Sequence, residues 1–310
     1  MDLHILSLLY ANCRTPYRSI ASTVGISANA VKTRVNKMVS KGIIQKFIVM
    51  VNPAIFGYEK QCFLIVRNID KMITKEEGYI FNQLNLLGDV RFYVKQLGGD
   101  AIFVLLVRPE TEEKIELITT MLRPANIEYR FAMINPPSMN VSMSDLKIIK
   151  SLLSNARMEI ADVANEASVS PRTATRRIEK MRQNQMIDFR IIRDMSSMNL
   201  TGYIEFLLMV AVNKSAYREI VEKMYREMQE YLINIPLNIS GSEAFIALFF
   251  CLNIPTVDSI VTRVKSYDGV KEVELFITTR VAYHEEWLIR EINKKLRSYS
   301  KTKIRLPAIK

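Results

Sequence analysis

The sequence predicts an α+β fold, with two winged helix-turn-helix domains alternating with two ferredoxin-like βαββαβ domains. Three observations predict it. The chain repeats itself at an offset of 143 residues, each copy opens with three short helical patterns and a β run, and each continues as strand, helix, hairpin, helix, strand.

The repeat comes first because it sets the frame for every later assignment. The offset aligns Asp2-Leu3-x-Ile5 with Asp145-Leu146-x-Ile148, and Asn12-x-Arg14 with Asn155-x-Arg157. It also matches Leu9 with Leu152, Ala21 with Ala164, Ser27 with Ser170, Arg34 with Arg177, Lys37-Met38 with Lys180-Met181, and Ile44 with Ile187. Twelve of the 43 positions from 2 to 44 are identical. Random pairing at ordinary composition would give about three.

In copy one, Leu3, Ile5, Leu6, Leu8 and Leu9 form an apolar helical stripe. Pro16 opens a second helix, with Ile20, Ala21 and Val24 inward, and Gly25 breaks it. Ser27 is placed to cap a third helix. There Val31, Val35 and Met38 recur at i, i+4 and i+7, leaving Asn29, Lys32, Thr33, Asn36 and Lys37 outward. Gly42 supplies the stop, and the apolar run Ile43 to Val51 is a β wing ending at Asn52-Pro53. In copy two the helices fall near 145–153, 159–167 and 171–184, with Ser170 as cap and Pro171 at the first position. Arg172, Thr173, Thr175, Arg176, Glu179 and Lys180 face outward there.

Two short helices and a turn before a basic third helix match the helix-turn-helix plan, whose last helix enters the major groove of double-stranded DNA. The expected DNA-reading residues are Asn29, Lys32, Thr33 and Lys37 in copy one, and Arg172, Thr173, Arg176 and Lys180 in copy two. Asn suits adenine and Arg suits guanine at the groove edge. Arg34 and Arg177 are candidates for phosphate contact or for bracing the head.

Each head is followed by a βαββαβ pattern. In copy one the pieces are strand 61–67, helix 74–87, strands 90–97 and 101–107 across Gly98-Gly99-Asp100, helix 111–122 and strand 127–133. In copy two they are 203–212, 215–231, 233–240, 243–252, 256–267 and 270–281. A second such sheet is the expected cover for the open face of each. The boundaries are head 1 at 1–58, ferredoxin-like domain 1 at 59–134, linker 135–144, head 2 at 145–202, ferredoxin-like domain 2 at 203–282, and a C-terminal helix and basic tail at 283–310. In the tail, Trp287, Leu288, Ile292 and Leu296 make a docking stripe.

Charge follows this division. The net charge is +11 over 310 residues. Residues 2–58 carry +6, 142–203 carry +3 and 283–310 carry +5, while 59–141 carry −1 and 204–282 carry −2. Positive charge gathered on particular modules suits a polyanion touching those modules. No apolar run approaches the roughly 20 residues of a membrane span. The N-terminus lacks the basic start and apolar run of a signal peptide, so a cytoplasmic protein with no membrane partner is expected. Cys13, Cys62 and Cys251 lie far apart without a CxxC pair and read as reduced, buried thiols. With only His4 and His284, the chain lacks the usual metal and Cys/His nucleophile patterns, so no catalytic residue, metal or cofactor is expected.

These residues resemble the Lrp/AsnC family of prokaryotic regulators. The resemblance rests on Asp2-Leu3-x-Ile5-Leu6, Ile20-Ala21-x-x-Val24-Gly25-Ile26-Ser27, Val31-x-x-Arg34-Val35, Lys41-Gly42-Ile43-Ile44 and Val51-Asn52-Pro53-x-x-x-Gly57-Tyr58. Leu97-Gly98-Gly99-Asp100 resembles the hairpin of the family's sensor (RAM) domain. The resemblance implies a transcriptional regulator, not an enzyme, that answers to an amino acid and oligomerises through its sensor sheets. An effector is then expected beside Gly98, Gly99 and Asp100 and beside Gly241, Ser242 and Glu243, with backbone N–H groups on its carboxylate and the acids on its amine. A homodimer is expected, because strands 204–212 and 244–252 and the Trp287 helix offer much apolar surface. Three departures stand out. The unit is duplicated, Ser168 and Gln185 replace Gly25 and Gly42, and the second loop reads Gly241-Ser242-Glu243. Siroheme decarboxylases, which are similar to this family, and an architectural DNA coater are the alternatives.

Overall fold

The computed structural model describes residues 1–67, 84–86, 88–108, 127–199, 202–233, 236–239 and 243–304, with no side-chain description at 196, 199 and 300–304. Copy one forms α1 (Asp2–Ala11), α2 (Tyr17–Val24), α3 (Ala28–Ser40) and the wing strand β1 (Ile44–Val51). A 3-10 turn (Pro53–Phe56) leads into β2 (Lys60–Val66), β3 (Asp89–Gln96), β4 (Ala101–Val107) and β5 (Ile127–Met133). The helices expected at 74–87 and 111–122 fall outside the described residues, except for helical 84–86.

Copy two forms α4 (Met143–Leu152), α5 (Ile160–Ala167), α6 (Pro171–Gln183) and the wing strand β6 (Ile187–Arg193). A short helix, α7 (Met195–Asn199), precedes β7 (Ile204–Val212), α8 (Tyr217–Met228), β8 (Leu237–Ile239), β9 (Ala244–Cys251), α9 (Ile254–Lys265) and β10 (Val270–Tyr283). The last described element is α10 (Glu286–Ile304).

The heads are punctuated as their sequences predict. Ser27 accepts the Ala30 N–H at 3.1 Å, and Ser170 accepts the Thr173 N–H at 3.2 Å, so each third helix is capped. Gly25 and Gly42 turn at φ 73° and 74°. In copy two Ser168 and Gln185 hold the same left-handed turns at φ 55° and 57°. The turn geometry survives the loss of glycine, at about 1 kcal/mol each.

The heads then fuse into one body. β1 pairs antiparallel with β6, wing against wing, with a one-residue bulge near Ile44. Cys13 N–H donates to the Phe189 carbonyl at 3.1 Å, and its repeat counterpart Ala156 donates to the Phe47 carbonyl at 3.1 Å. Ile5, Leu6 and Leu9 share one buried cluster with Ile148, Ile149 and Leu152. Each such side chain contributes roughly 1.5–3 kcal/mol.

The strands of the two βαββαβ domains form one eight-stranded sheet, ordered β5-β2-β4-β3-β10-β7-β9-β8. Each half is the ferredoxin-like order of strands 4-1-3-2. The halves join where the far end of β10 pairs with β3, Val281 opposite Val94. The outermost strands, β5 and β8, also come into contact, so the sheet curls back on itself. Phe63, Ile65, Ile102 and Val104 meet Leu207, Met209, Ile246 and Phe276 in one cluster between the halves. Cys62, Leu64 and Val66 point the opposite way, as do Phe206, Leu208 and Val210. This period-2 alternation gives β2 and β7 two buried faces. Each half is thus both joined to and covered by the other.

That arrangement corrects the reasoning behind a homodimer through the sensor sheets. The apolar strands 204–212 and 244–252 are buried within one chain, and Trp287 is only 2% exposed. Its ring meets Phe56 and Tyr58 edge-on, at centroid distances of 6.1 and 5.9 Å, and α10 packs on α4. The surface expected to recruit a second chain is already used by this one.

Candidate nucleic-acid interface

The expected reading residues sit on the outward faces of α3 and α6. Asn29, Lys32, Thr33 and Lys37 are exposed, as are Arg172, Arg176 and Lys180. Thr173 is half-buried, and its hydroxyl accepts from Ser170 inside the helix cap at 2.9 Å. The inward positions Val31, Val35, Met38, Ala174, Ile178 and Met181 are all buried. Each head therefore offers a basic face on a rigid helix. On α6 that face also carries Glu179, which accepts from Gln183 at 3.0 Å and dilutes the charge.

Arg34 and Arg177 play the bracing part of their expected pair of roles. Arg34 donates to Asp2 at 2.7 Å, and Arg177 donates to the repeat counterpart Asp145 at 3.1 Å. Each ties the third helix of its head to the first. Asp145 is 1% exposed and also closes a capping box with Ser142. Arg177 is a positioning residue.

Arg14 and Arg157 escaped the sequence reading as functional residues. Arg14 donates to the Ala156 and Met158 carbonyls at 2.6 and 2.9 Å, while Arg157 donates to the carbonyls of Cys13 and Thr15. Arg14 lies over the Phe189 ring at 5.5 Å, and Arg157 over Phe47 at 5.7 Å. This reciprocal clasp fixes one head against the other. The signal was the identity of Arg14 and Arg157 in the repeat, which without a partner reads as one more match.

The hairpin between β3 and β4 offers less to a ligand than its glycines suggest. Gly98 and Gly99 have φ of 91° and 93°, as a tight turn requires. The Leu97 N–H donates to the Ile277 carbonyl at 2.8 Å, and the Gly99 N–H to Gln96 at 3.4 Å. Asp100 is held by Arg67 at 3.0 Å, a guanidinium that also binds Glu128 and Glu274. The carboxylate expected to hold an amine is thus already in an ion cluster. Gly241 and Ser242 lie outside the described residues, and Glu243 is exposed.

Among the described residues there is no group of three or more His, Cys, Asp or Glu side chains that could hold a metal ion. The three cysteines are free and buried, and burial pushes the Cys13 and Cys62 thiols up to about 12. No described helix is long and apolar enough to cross a membrane.

A family model described as winged helix-turn-helix DNA-binding matches twice, at residues 1–45 and 144–188. An uncharacterized HTH-type transcriptional regulator of Pyrococcus horikoshii is 33% identical over 92 residues, which cover 29% of this chain and 58% of that protein. The regulatory protein AsnC of Haemophilus influenzae is 32% identical over 84 residues, 26% of this chain and 56% of that protein. The chain spans about half the length of such curated relatives. Among solved structures, the siroheme decarboxylase NirDL superposes over 97% of this chain and 100% of its own, with a TM-score of 0.50 at 14% identity, a likeness of fold. The chain carries this winged helix-turn-helix unit twice, and the curated proteins that it resembles over part of its length include Lrp and AsnC regulators.

Proposed function

We propose that this chain is a sequence-specific DNA-binding transcriptional regulator whose two unlike heads read the two halves of an asymmetric site on double-stranded DNA. The observation that carries this reading is the pair of capped third helices, each burying its apolar side and exposing a basic one within a matched DNA-binding domain. Asn29, Lys32, Thr33 and Lys37 contact one half-site, and Arg172, Arg176 and Lys180 the other. Position by position in the repeat, Asn29, Lys32 and Thr33 stand where Arg172, Thr175 and Arg176 stand, so the preferred bases differ. One chain carries both heads and binds as a single-chain pseudo-dimer in the cytoplasm. Lys32→Ala with Lys37→Ala should weaken binding and flatten its dependence on salt by about two counterions. A fluorescence-anisotropy titration across salt concentrations reads both, and an isotherm unchanged by the double substitution would overturn the assignment.

A second reading is an enzyme of the siroheme decarboxylase kind, favoured by the likeness of fold over nearly the whole chain. Fold does not fix function. A Soret band in the purified protein, or one that appears on titration with an iron tetrapyrrole, separates the two readings.

A further inference from the structure

Beneath the paired wings lies a cavity that the DNA reading does not use. Its volume is about 310 Å³, its roof is formed by β1 and β6, and its floor is the curled sheet. The body of the cavity is apolar, lined by Phe63, Phe92, Leu207, Ile246 and Leu248 among others. An open groove of about 450 Å³ runs alongside, and Arg91 belongs to the walls of both.

The polar groups here are under-used. Arg193 is 6% exposed, pairs with buried Glu205 through one nitrogen and lies over the Tyr10 and Phe250 rings at 4.3 and 4.8 Å, while its Nε and Nη1 have no hydrogen-bond partner. Thr278 is 2% exposed, lines the cavity, and its hydroxyl has no partner either. Arg91 is half-buried and lies over the Phe92 ring at 5.5 Å, and its guanidinium donates only to the Val51 carbonyl, at 3.5 Å, and the Met50 sulfur, at 4.0 Å. Its Nε is sealed from solvent and unpartnered, and no carboxylate among the described residues meets it. Buried polar atoms without partners are rare in native proteins, and here they gather at one cavity. A partly buried guanidinium without an acid costs stability unless an anion completes it.

The two acids nearby are already committed, Glu205 to Arg193 and Asp188 to Arg190. An incoming ligand therefore finds a cation without an acid, two further donors and an apolar bed, but no free carboxylate for an ammonium group. We infer that this cavity binds a small monocarboxylate with an apolar body and no amine, its carboxylate on Arg91 at the groove and its body among Phe63, Phe92 and Leu207. This inference stands independently of the DNA reading.

The experiment pairs each acid with its amine-bearing twin. Isothermal calorimetry of the whole chain would compare 4-methyl-2-oxopentanoate with leucine, and phenylpyruvate with phenylalanine. One of the two oxo acids is expected to bind at least about tenfold tighter than its amino acid. A charge-assisted contact of about 1.5–3 kcal/mol implies that Arg91→Met weakens that binding by about tenfold or more. A merely structural Arg91 would lower the melting temperature when replaced. Here Arg91→Met is expected to melt at the same temperature as the parent or higher, because it removes an unmatched charge. Arg91→Lys, which keeps the charge, should retain part of the affinity. Failure of both oxo acids to bind at millimolar concentration, equal affinity of an acid and its amino acid, or binding unchanged in Arg91→Met would each overturn the inference. None of these outcomes touches the DNA titration.

Discussion

Arg34 and Arg177 hold the same place in the repeat and reach equivalent acids, Asp2 and Asp145, yet their surroundings make them unequal. The Arg34–Asp2 pair is about equally open on both sides, at 44% and 40%, and exposed pairs contribute under about 1 kcal/mol. Asp145 is buried, so Arg177→Ala leaves its charge with only the capping box and should cost roughly 2–4 kcal/mol. Urea unfolding of Arg34→Ala and Arg177→Ala checks the contrast, and similar losses in both would contradict it. His284 gives a pH signature at the same scale. Burial lowers its affinity for a proton, partly offset by Glu286, so the folded chain binds that proton less readily than the unfolded one. Stability from this group is complete above the unfolded value of about 6.5 and is lost as pH falls below it. His284→Gln should flatten that slope in melts between pH 7 and pH 5, and an unaltered slope would exclude His284 as its source.

Among the elements, α10 depends most on one side chain. Trp287 is wedged between Phe56 and Tyr58, while its indole N–H is buried without an acceptor. Trp287→Ala should cost about 3–5 kcal/mol through the cavity it leaves. Trp287→Phe keeps most of the ring and removes the unpaired donor, so its cost should stay under about 1.5 kcal/mol. Thermal melts of the two variants test this, and equal losses would mean that the N–H has a partner after all. The amphipathic stripe of this helix was legible in the sequence, as were the third helices with their serine caps, because such signals are local. What the stripe would meet was not legible, since Phe56 and Tyr58 lie some 230 residues earlier in the chain. The pairing of β1 with β6 and of β3 with β10 is equally remote from any local pattern. The site was legible in the same measure. Outward residues of α3 and α6 follow from helical period, whereas the capture of Asp100 by Arg67 needs the sheet to be assembled first.

The molecule as a whole is held together by surfaces that cross between the copies. The buried cluster of the heads draws on both, the cluster inside the curled sheet draws on both, and α10 returns to pack on α4. The connection between the copies contributes little by comparison, with Asn135, Pro136, Ser138 and Asn140 all exposed. A protease site placed at 136–140 should therefore yield two fragments that stay together. They should elute as one species near 36 kDa on gel filtration, and separation into two smaller species under native conditions would refute the shared-core description.

β10 runs unbroken from its pairing with β7 to its pairing with β3, so each half sheet finds its complement on the same polypeptide. Two separate chains would obey mass action, parting on dilution and exchanging partners with any compatible copy in the cell. Here the local concentration of one half around the other is set by the covalent connection and does not fall with expression level. The two basic helix faces are inherited as a fixed pair on one polypeptide. Duplication of this kind frees the halves to diverge, because each has one permanent partner to suit. The unequal surfaces of α3 and α6, and a cavity whose charged wall has no symmetric need to be matched, are the kind of difference that such freedom permits.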